Sequence, residues 1–371
     1  MDYAEEKYLI ALHSIPGIGH RSIELLFQYF SGYRCAWEKA NYWASVPNFA
    51  QGRIEQLIDA WKHTDIEQVY AAFQKTGAHV LTLNDAEYPQ LLKNIFDPPY
   101  IIYYRGELPA DDDICIAMVG SRRASAYGRH VADKIARGLA QKGAWVVSGL
   151  ARGIDTYSHL GSLGEGGKTI AVLGSGIDVI YPRENNSLYD QICDSGAVIT
   201  EFPIGSPPLA RHFPARNRII SGLCRGVAVV EAAEKSGSLI TVDYALEQGR
   251  DVFAVPGPVT SLMSRGTHKL IRQGAKLIET ADDILEEYLS VDYGNNTQID
   301  LFSFSQKERE ILELLMTGQM HFDILVQNSG FSPSQMAALL TMWEIKGLIK
   351  QLPGKYYIMG RVDSTKSEFR D

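Results

Sequence analysis

The sequence predicts an α/β fold built on a mostly parallel, doubly wound sheet, with a small helical domain before it and a winged-helix domain after it. Three observations support this prediction. From about residue 79 to residue 289, short apolar runs alternate with helical segments. Most of these runs are continuously hydrophobic, as in parallel strands that helices cover on both faces. The regions before and after show the helical spacing of apolar residues instead.

Nine of the apolar runs are candidate strands. In chain order they are "HVLTL", "YIIYYRG", "ICIAMVG", "WVVSG", "TIAVLG", "AVITEF", "GVAVVEA", "DVFAVPG" and "KLI". Because helical segments separate them, we expect an extended Rossmann-like sheet, which binds its ligands at the carboxyl ends of its strands. The residues that directly follow these runs are therefore the candidates for a functional site.

The N-terminal region, residues 1–75, is expected to form a helical domain of the sterile-alpha-motif (SAM) or helix-hairpin-helix type. Its segments "SIELLFQYF" and "GRIEQLIDAWKHTDIEQVYAAFQKTG" carry apolar residues at three- and four-residue spacing. The loop "IPGIG" resembles the hairpin of helix-hairpin-helix modules, whose glycines let backbone N–H groups approach a DNA phosphate. An ordinary turn between two helices explains the same five residues.

The other boundaries follow from changes in composition. Residues 76–290 are the expected Rossmann-like core, 291–305 a polar linker, 306–362 a winged-helix domain and 363–371 a tail. Three helical segments followed by a hairpin around "LPGK" predict the winged helix, and Ser332 and Pro333 predict the start of its third helix. That helix has one basic residue, near its end, so we expect it to pack or to bind a partner rather than to read a DNA groove.

Composition indicates a soluble, cytoplasmic protein that needs no metal or cofactor. The N-terminus carries acids where a secretory signal carries positive charge, and no apolar run approaches the roughly 18 residues of a membrane helix. The four cysteines lie far apart and form no C-x-x-C pair, so we expect neither a zinc site nor disulfides.

The charge distribution indicates one basic strip in an acidic chain. The net charge of -8 argues against a nonspecific polycation for nucleic acid. Between Glu201 and Glu231, however, there is no acid, whereas four arginines fall there: Arg211, Arg216, Arg218 and Arg225.

The stretch "SLGEGGKT" nearly matches the phosphate-binding loop of ATPases and differs from it at Ser162. A true phosphate-binding loop follows a strand and begins a helix, so that the helix N-terminus faces the phosphates. Here a predicted helix precedes the loop and a strand follows it, which places Lys168 at the amino end of that strand. We therefore do not expect ATP hydrolysis.

Three strand-to-helix turns share a Gly/Ser composition. They contain Gly120 with Ser121, Arg122 and Arg123; Ser148 with Gly149 and Arg152; and Gly237 with Ser238. Backbone N–H groups and helix N-termini at such turns favour an anion, and arginine can bind phosphate through two parallel hydrogen bonds. Ordinary sheet turns would explain the glycines but not the arginines, so we expect one shared anion site.

The densest group of candidate residues lies in "LARHFPARNRIISGLCRG". Arg211, Arg216 and Arg218 offer charge, Asn217 an amide and Phe213 a flat ring. Basic side chains interleaved with an aromatic residue fit single-stranded DNA, whose phosphates are neutralised while its bases stack. A core position for Phe213 and ion pairs for the arginines would fit the same spacing, so these residues alone leave both possibilities open.

Six motifs resemble the bacterial DNA-processing protein A family (DprA, also called Smf), in the family's order and spacing over about Leu81 to Tyr288. They are "VGSR", "SGLARGID", "GKTIAVLGSGIDVIYPRENNSL", "FPARNRIISGL", "VVEAAEKSGSLIT" and "GRDVFAVPG". The helical and winged-helix regions at the two ends also resemble those that accompany this core in many members.

The resemblance implies a DNA-binding mediator without catalysis. The family binds single-stranded DNA, protects incoming strands during natural transformation and helps load the recombinase RecA onto DNA coated by single-strand binding protein. Its members are typically dimers through the Rossmann-like core. By motif, a pocket for DNA phosphates would be lined by Ser121, Arg122, Gly149, Lys168, Arg216, Asn217, Arg218, Gly237 and Ser238. Phe213 would be a base-stacking candidate.

An enzyme is the alternative. Rossmann-like nucleoside-monophosphate hydrolases, such as the lysine-decarboxylase-like (LOG) phosphoribohydrolases, need a carboxylate near the sugar, and Asp155, Glu201 and Glu231 lie near predicted strand ends. Helix capping or pairing with the nearby arginines explains these acids as well. The LOG signature P-G-G-x-G-T is absent, since "PGPVTS" does not match it, and no G-x-G-x-x-G motif indicates a dehydrogenase.

Overall fold

A computed structural model describes residues 3–49, 52–288, 305–316, 318–345, 348–352 and 354–359. The chain divides into two compact units, one up to Tyr288 and one from Leu289 onward. Each unit is described by itself. The expected tail at 363–371, the last residues of the expected winged-helix domain and all of the expected linker except Ser305 lie outside the described residues.

The first unit begins with five α-helices. They are α1 (Tyr3–Ser14), α2 (His20–Phe30), α3 (Tyr33–Glu38), α4 (Ile54–Lys62) and α5 (Ile66–Thr76), with a 3-10 helix at Ala40–Ser45. The cap residues of α5 show why it forms where it does. The Asp65 carboxylate accepts hydrogen bonds from the first free N–H groups of the helix, and Gly77 ends it in the left-handed conformation at φ +64°. The loop "IPGIG" connects α1 to α2.

The nine predicted strands all form, in one sheet. They are β1 (His79–Thr82), β2 (Ile101–Gly106), β3 (Cys115–Gly120), β4 (Trp145–Ser148), β5 (Thr169–Val172), β6 (Ala197–Thr200), β7 (Gly226–Glu231), β8 (Asp251–Ala254) and β9 (Lys276–Leu277). Their order across the sheet is β1-β2-β6-β5-β4-β3-β7-β8-β9. The pairs from β6 to β9 are parallel, whereas β1 with β2 and β2 with β6 are antiparallel.

Helices connect the strands and cover both faces of the sheet. They are α6 (Gln90–Lys93), α7 (Ala126–Gln141), α8 (Ile154–Gly164), α9 (Asn186–Ser195), α10 (His212–Gly222), α11 (Leu239–Glu247), α12 (Arg265–Arg272) and α13 (Asp282–Leu285), with 3-10 helices at Arg183–Asn185 and Leu262–Ser264. Residues of α7 and α8 join the core on one face, and residues of α10 and α11 join the core on the other. The prediction of a doubly wound α/β fold is confirmed.

The N-terminal helices share a hydrophobic core with the sheet. Leu9 and Leu12 of α1 are fully buried in one cluster with Ile101 and Tyr103 of β2. The antiparallel edge formed by β1 and β2 thus buries one face against these helices. The boundary expected at residues 75 and 76 is a change of secondary structure within one compact unit.

The described part of the second unit has the elements expected of a winged helix. They are α14 (Gln306–Met316), β10 (Met320–His321), α15 (Phe322–Ser329), α16 (Pro333–Ile345), β11 (Ile349–Leu352) and β12 (Tyr356–Met359). Ser332 and Gln335 form a reciprocal capping box at the start of α16: the Ser332 N–H donates to the Gln335 amide oxygen, and the Gln335 N–H donates to the Ser332 hydroxyl. Among the residues described here, no helix is long and apolar enough to cross a membrane.

A buried ionic network attaches α10 to the rest of the first unit. The guanidinium of Arg218, 6% exposed, donates to both carboxylate oxygens of Glu201 at 2.5 and 2.6 Å and to the Asp97 carbonyl at 2.9 Å. The Asp97 carboxylate in turn accepts from Arg21 of α2 at 2.7 Å. The network therefore connects α10 to the end of β6, to the loop before β2 and to the N-terminal helices.

Replacement of Arg218 by alanine is expected to destabilise the protein strongly. The variant leaves the Glu201 carboxylate buried without its partner, which costs about 3 to 5 kcal/mol of unfolding free energy. Urea denaturation followed by circular dichroism measures this loss. The control is Arg152→Ala, which breaks an exposed pair with Glu184 and should cost less than about 1 kcal/mol. Equal losses for the two variants would contradict the assignment.

Two histidines are buried in uncharged form. Burial lowers the pKa of His13 to about 3, with a smaller contribution from His20, and its Nδ1 lies 2.8 Å from the Tyr103 hydroxyl. Burial likewise lowers the pKa of His159 to about 3, with a smaller contribution from Arg216. Both pKa values lie far below the ordinary 6.5 that the unfolded chain regains.

Stability is therefore expected to fall as the pH is lowered through 6.5. Below that pH the unfolded state binds protons that the folded state does not, so each histidine removes about 1.4 kcal/mol of unfolding free energy per pH unit until the folded pKa is reached. Urea denaturation at pH 7.5 and 5.5 measures the slope. His13→Gln and His159→Gln should each reduce it, and an unchanged slope in the double variant would refute the prediction.

Candidate nucleic-acid interface

The three Gly/Ser turns meet at one edge of the sheet. β3 and β7 are neighbours in the sheet although β4, β5 and β6 lie between them in sequence, so the connections from β3 and β7 leave on opposite faces. A crevice opens at such a switch point, beyond the carboxyl ends of the strands. Here it is a cavity of about 690 Å³. Its lining includes Ser121, Arg122, Arg123, Asp155, Tyr181, Phe213, Arg216, Asn217, Ser236, Gly237, Ser238 and Met263.

Hydrogen bonds to Glu231 stabilise the turn after β3. This buried carboxylate accepts from the Ser125 N–H at 2.8 Å and from its hydroxyl at 2.7 Å, and Ser125 caps the N-terminus of α7. The Ser121 N–H donates to the Glu231 carbonyl at 2.7 Å. Arg122 remains exposed above this turn, with its guanidinium carbon 5.2 Å from the centroid of the Phe213 ring.

The turn after β4 packs against a buried arginine, Arg216 of α10. The guanidinium of Arg216 donates to the carbonyls of Gly149, at 2.8 Å, and Val172, and its Nε donates to the Asn217 side chain at 3.0 Å. A Cβ at Gly149 would overlap this guanidinium, so the turn requires glycine there. Burial lowers the pKa of Arg216 to about 10, which still leaves the side chain charged at neutral pH.

Asp155 supports the same turn. Its carboxylate accepts from the N–H groups of Gly149 and Ala151 at 3.2 and 3.3 Å. Burial raises the pKa of this carboxyl, and the nearby charge of Arg216 opposes the rise. The carboxylate and the guanidinium therefore compensate each other's burial at the wall of the cavity.

The turn after β7 completes the cavity. Gly237 is exposed, and the Ser238 hydroxyl lies 2.8 Å from the Ser236 hydroxyl, just before α11 begins at Leu239. The cavity therefore has small polar groups and the N-terminus of α11 on its walls. Such walls favour an anion, because unpaired N–H groups at a helix start carry partial positive charge.

A second, smaller cavity adjoins the first. Its volume is about 210 Å³. Its walls are Arg122, Arg123, Gly149, Ala151, Arg152, Tyr181, Pro182 and Phe213. Arg122, Arg123, Tyr181 and Phe213 line both cavities, so basic and aromatic side chains separate the two spaces.

The structure brings together most of the predicted site residues, but not all of them. Ser121, Arg122, Phe213, Arg216, Asn217, Gly237 and Ser238 line the larger cavity, and Gly149 lines the smaller one. Arg211 is exposed at the start of α10, outside both walls. Arg218 belongs to the buried network with Glu201, and the prediction that it lines the pocket is wrong. On a helix with 3.6 residues per turn, Arg216 and Arg218 project about 200° apart.

The prediction that Lys168 lines this pocket is also wrong, because Lys168 lines neither cavity. Its ammonium group lies 2.9 Å from the Glu107 carboxylate and 4.8 Å from the centroid of the Trp145 ring. It borders a separate depression of about 450 Å³, together with Gly106 and Gly196. The residue immediately precedes β5, and the amino ends of parallel strands lie at the edge of the sheet opposite their carboxyl ends.

The carboxylates of the enzyme alternative all have structural partners. Asp155 accepts from two backbone N–H groups, Glu201 pairs with Arg218, and Glu231 binds the capping residue Ser125. Arginine pairing therefore accounts for Glu201 and a helix-cap contact for Glu231, whereas Asp155 stabilises the turn before α8.

Tyr181 is a wall residue that the sequence analysis missed. It lines both cavities and lies 5.7 Å from Phe213, measured between ring centroids. Its position after β5 could have indicated this role, since "GSGIDVIYP" is the loop that leaves the carboxyl end of that strand.

Two regions of the chain match models of known protein families. Residues 79–289 match the model of the family described as DNA recombination-mediator protein A. Residues 301–355 match the DprA winged helix domain. The first match spans the whole sheet and both cavities.

Known relatives match over much of the chain. DNA processing protein DprA of Streptococcus pneumoniae is 49% identical over 232 residues, which cover 62% of this chain and 81% of that protein. Protein Smf of Escherichia coli is 38% identical over 320 residues, which cover 83% and 85%.

Similar solved structures include those of two DNA processing proteins. The X-ray structure of DprA from Streptococcus pneumoniae has a TM-score of 0.65 at 38% identity and covers 76% of this chain and 97% of that one. DNA processing protein A from Helicobacter pylori, reported for its unique single-stranded DNA binding mode, has a TM-score of 0.51 at 27% identity and covers 57% and 94%. Together with the family match over residues 79–289, these likenesses show that the chain belongs to the DNA recombination-mediator protein A family.

Proposed function

We propose that this chain binds single-stranded DNA at the switch-point cavity and acts as a recombination mediator. In this role it protects incoming strands during natural transformation and helps load RecA onto DNA coated by single-strand binding protein. It works in the cytoplasm, as a homodimer through the Rossmann-like core, and without catalysis. The observation that carries the proposal is that the Gly/Ser turns after β3 and β7 line one cavity with the exposed Arg122 and Arg123, and that Gly149 of the turn after β4 lines the adjoining cavity.

Phosphate binding follows from the charges at this edge. Arg122 and Arg123 are exposed, and Arg216 adds a buried positive charge behind them. The carboxylates nearby are engaged: Asp155 with backbone N–H groups and Glu231 with the cap of α7. The cavity is therefore a local positive region in a chain of net charge -8, and such a region attracts a polyanion at a specific place.

A preference for single strands follows from the shape of the site. The basic side chains border a recess with aromatic walls, Phe213 and Tyr181, rather than a flat or ridged surface. Duplex DNA keeps its bases stacked inside the helix, whereas a single strand can place a base against an aromatic ring. The single-stranded DNA binding of the Helicobacter pylori relative supports the same preference.

Replacement of Arg122 by alanine is expected to weaken binding of all single strands by similar factors. Loss of one phosphate contact should reduce the slope of log affinity against log salt by about 1. Fluorescence anisotropy of a labelled oligothymidine at several salt concentrations measures both quantities. Lys168→Ala is the matched control, because it removes a positive charge at the opposite edge and should leave binding unchanged.

Two results would contradict this assignment. One is wild-type affinity that does not change with salt, and the other is equal affinity for single-stranded and duplex DNA under the same conditions. A loss with Lys168→Ala as large as that with Arg122→Ala would place the phosphate site elsewhere.

The mediator role predicts that the protein accelerates RecA assembly on coated strands. With labelled single-strand binding protein on a long single strand, added wild-type protein should speed its displacement by RecA. Arg122→Ala should slow this displacement in proportion to its loss of DNA affinity, and Lys168→Ala should behave as wild type. Displacement at the same rate with and without the protein would refute the mediator role while leaving DNA binding intact.

A further inference from the structure

The ring of Phe213 is already surrounded by protein groups. The guanidinium carbons of Arg122 and Arg216 lie 5.2 and 5.9 Å from its centroid. Gly174 lies so close that a Cβ there would be 3.0 Å from the Phe213 ring. The contacts with the two arginines are within the range of cation–π attraction. A base could stack fully on this ring only by displacing such a contact.

Tyr181 offers the aromatic surface that Phe213 lacks. It is 46% exposed, lines both cavities, and its ring plane is inclined by 48° to that of Phe213. It therefore presents a ring to the space beside Arg122 that a base can reach without displacing either arginine.

The loop that carries Tyr181 is held at several points. The Asn185 amide donates to the Leu150 carbonyl at 2.9 Å and to the Thr156 hydroxyl at 3.1 Å. Glu184 forms a two-point pair with Arg152, at 2.5 and 2.6 Å. A stacking surface on an anchored loop loses little conformational entropy when a base binds, which favours binding.

The smaller cavity has the size of a part of a nucleotide. Ligands of drug size occupy about 300 to 1,000 Å³. The larger cavity, about 690 Å³, falls in this range, whereas the smaller one, about 210 Å³, suits a single base. Tyr181 and Pro182 form one side of it and Phe213 another, with Arg122, Arg123 and Arg152 around them.

We propose that Tyr181 is the residue on which a base of the bound strand stacks, in the smaller cavity, and that Phe213 is a positioning residue that holds Arg122 for the neighbouring phosphate. This inference rests on the proposed function, since it assigns the base contact within that DNA site. The base occupies the smaller cavity, and the phosphate beside it lies at the Gly/Ser turns of the larger one.

Strands with and without bases separate the two roles. The probe is a labelled oligothymidine, compared with a strand of equal length that consists of abasic sugar phosphates. The full-length chain is measured as wild type, Tyr181→Ala, Tyr181→Phe, Phe213→Leu and Arg122→Ala. Tyr42→Ala is the control, because Tyr42 is also an exposed tyrosine, 63% exposed, and lies in the N-terminal helical region.

Tyr181→Ala is expected to weaken binding of oligothymidine roughly 5- to 150-fold, the range for loss of one stacked base, and to leave binding of the abasic strand unchanged. Tyr181→Phe should behave as wild type, because the ring is kept. Phe213→Leu should weaken both strands by the same factor. In the background of Arg122→Ala it should have little further effect, since both changes remove the same contact.

The opposite pattern would overturn the inference. Equal losses for Tyr181→Ala on the two strands, or no loss beyond that of Tyr42→Ala, would show that no base stacks on Tyr181. A loss for Phe213→Leu confined to oligothymidine would return the stacking role to Phe213. Failure of the wild-type protein to bind either strand would instead refute the proposed function, and this inference with it.

Discussion

The candidate site depends on the hydrogen bonds of the buried Arg216 guanidinium. A charge removed from water needs hydrogen-bond acceptors and a counter-charge nearby. Arg216 finds the carbonyls of Gly149 and Val172 at the ends of β4 and β5, and the charge of Asp155 faces it. These groups hold the start of α10 against the carboxyl edge of the sheet, where both cavities open.

The opposite side of α10 is held by a second buried arginine. Arg218 binds Glu201 at the end of β6 and the Asp97 carbonyl, and Asp97 binds Arg21 of the N-terminal helices. One short helix is therefore held on two sides by buried arginines, Arg216 at the wall of the larger cavity and Arg218 away from it. This arrangement keeps Phe213, three residues before Arg216, at the boundary between the two cavities, and it gives the N-terminal helices a structural connection to the site.

Hydrogen bonding of the nearby acids explains how an acidic chain can present a basic site. Near the cavity, Asp155 accepts from backbone N–H groups and Glu231 from the residue that caps α7, whereas Arg122 and Arg123 stay exposed. Net charge describes the average field of the protein, but binding depends on the charges left unpaired within a Debye length of the ligand.

The sequence by itself determined the elements and the family. Continuous apolar runs with glycine at their ends are local signals, so all nine strands could be predicted, and the helix, loop and strand order around "GEGGKT" already placed Lys168 at the amino end of β5. The motif resemblance nevertheless assigned Lys168 to the pocket, because a motif records neighbours along the chain and not the edge of the sheet they occupy.

Only the tertiary structure decided which side chains meet. Arg216 and Arg218 are two residues apart, and the helix turns one toward the cavity and the other toward Glu201. Tyr181 reaches the site because its loop is anchored to groups some 25 to 35 positions away in the chain, such as Leu150 and Thr156. Charge pattern and motifs can be read from the order of residues. The contact partners of each side chain depend on helix phase and on contacts between distant segments, which that order does not specify.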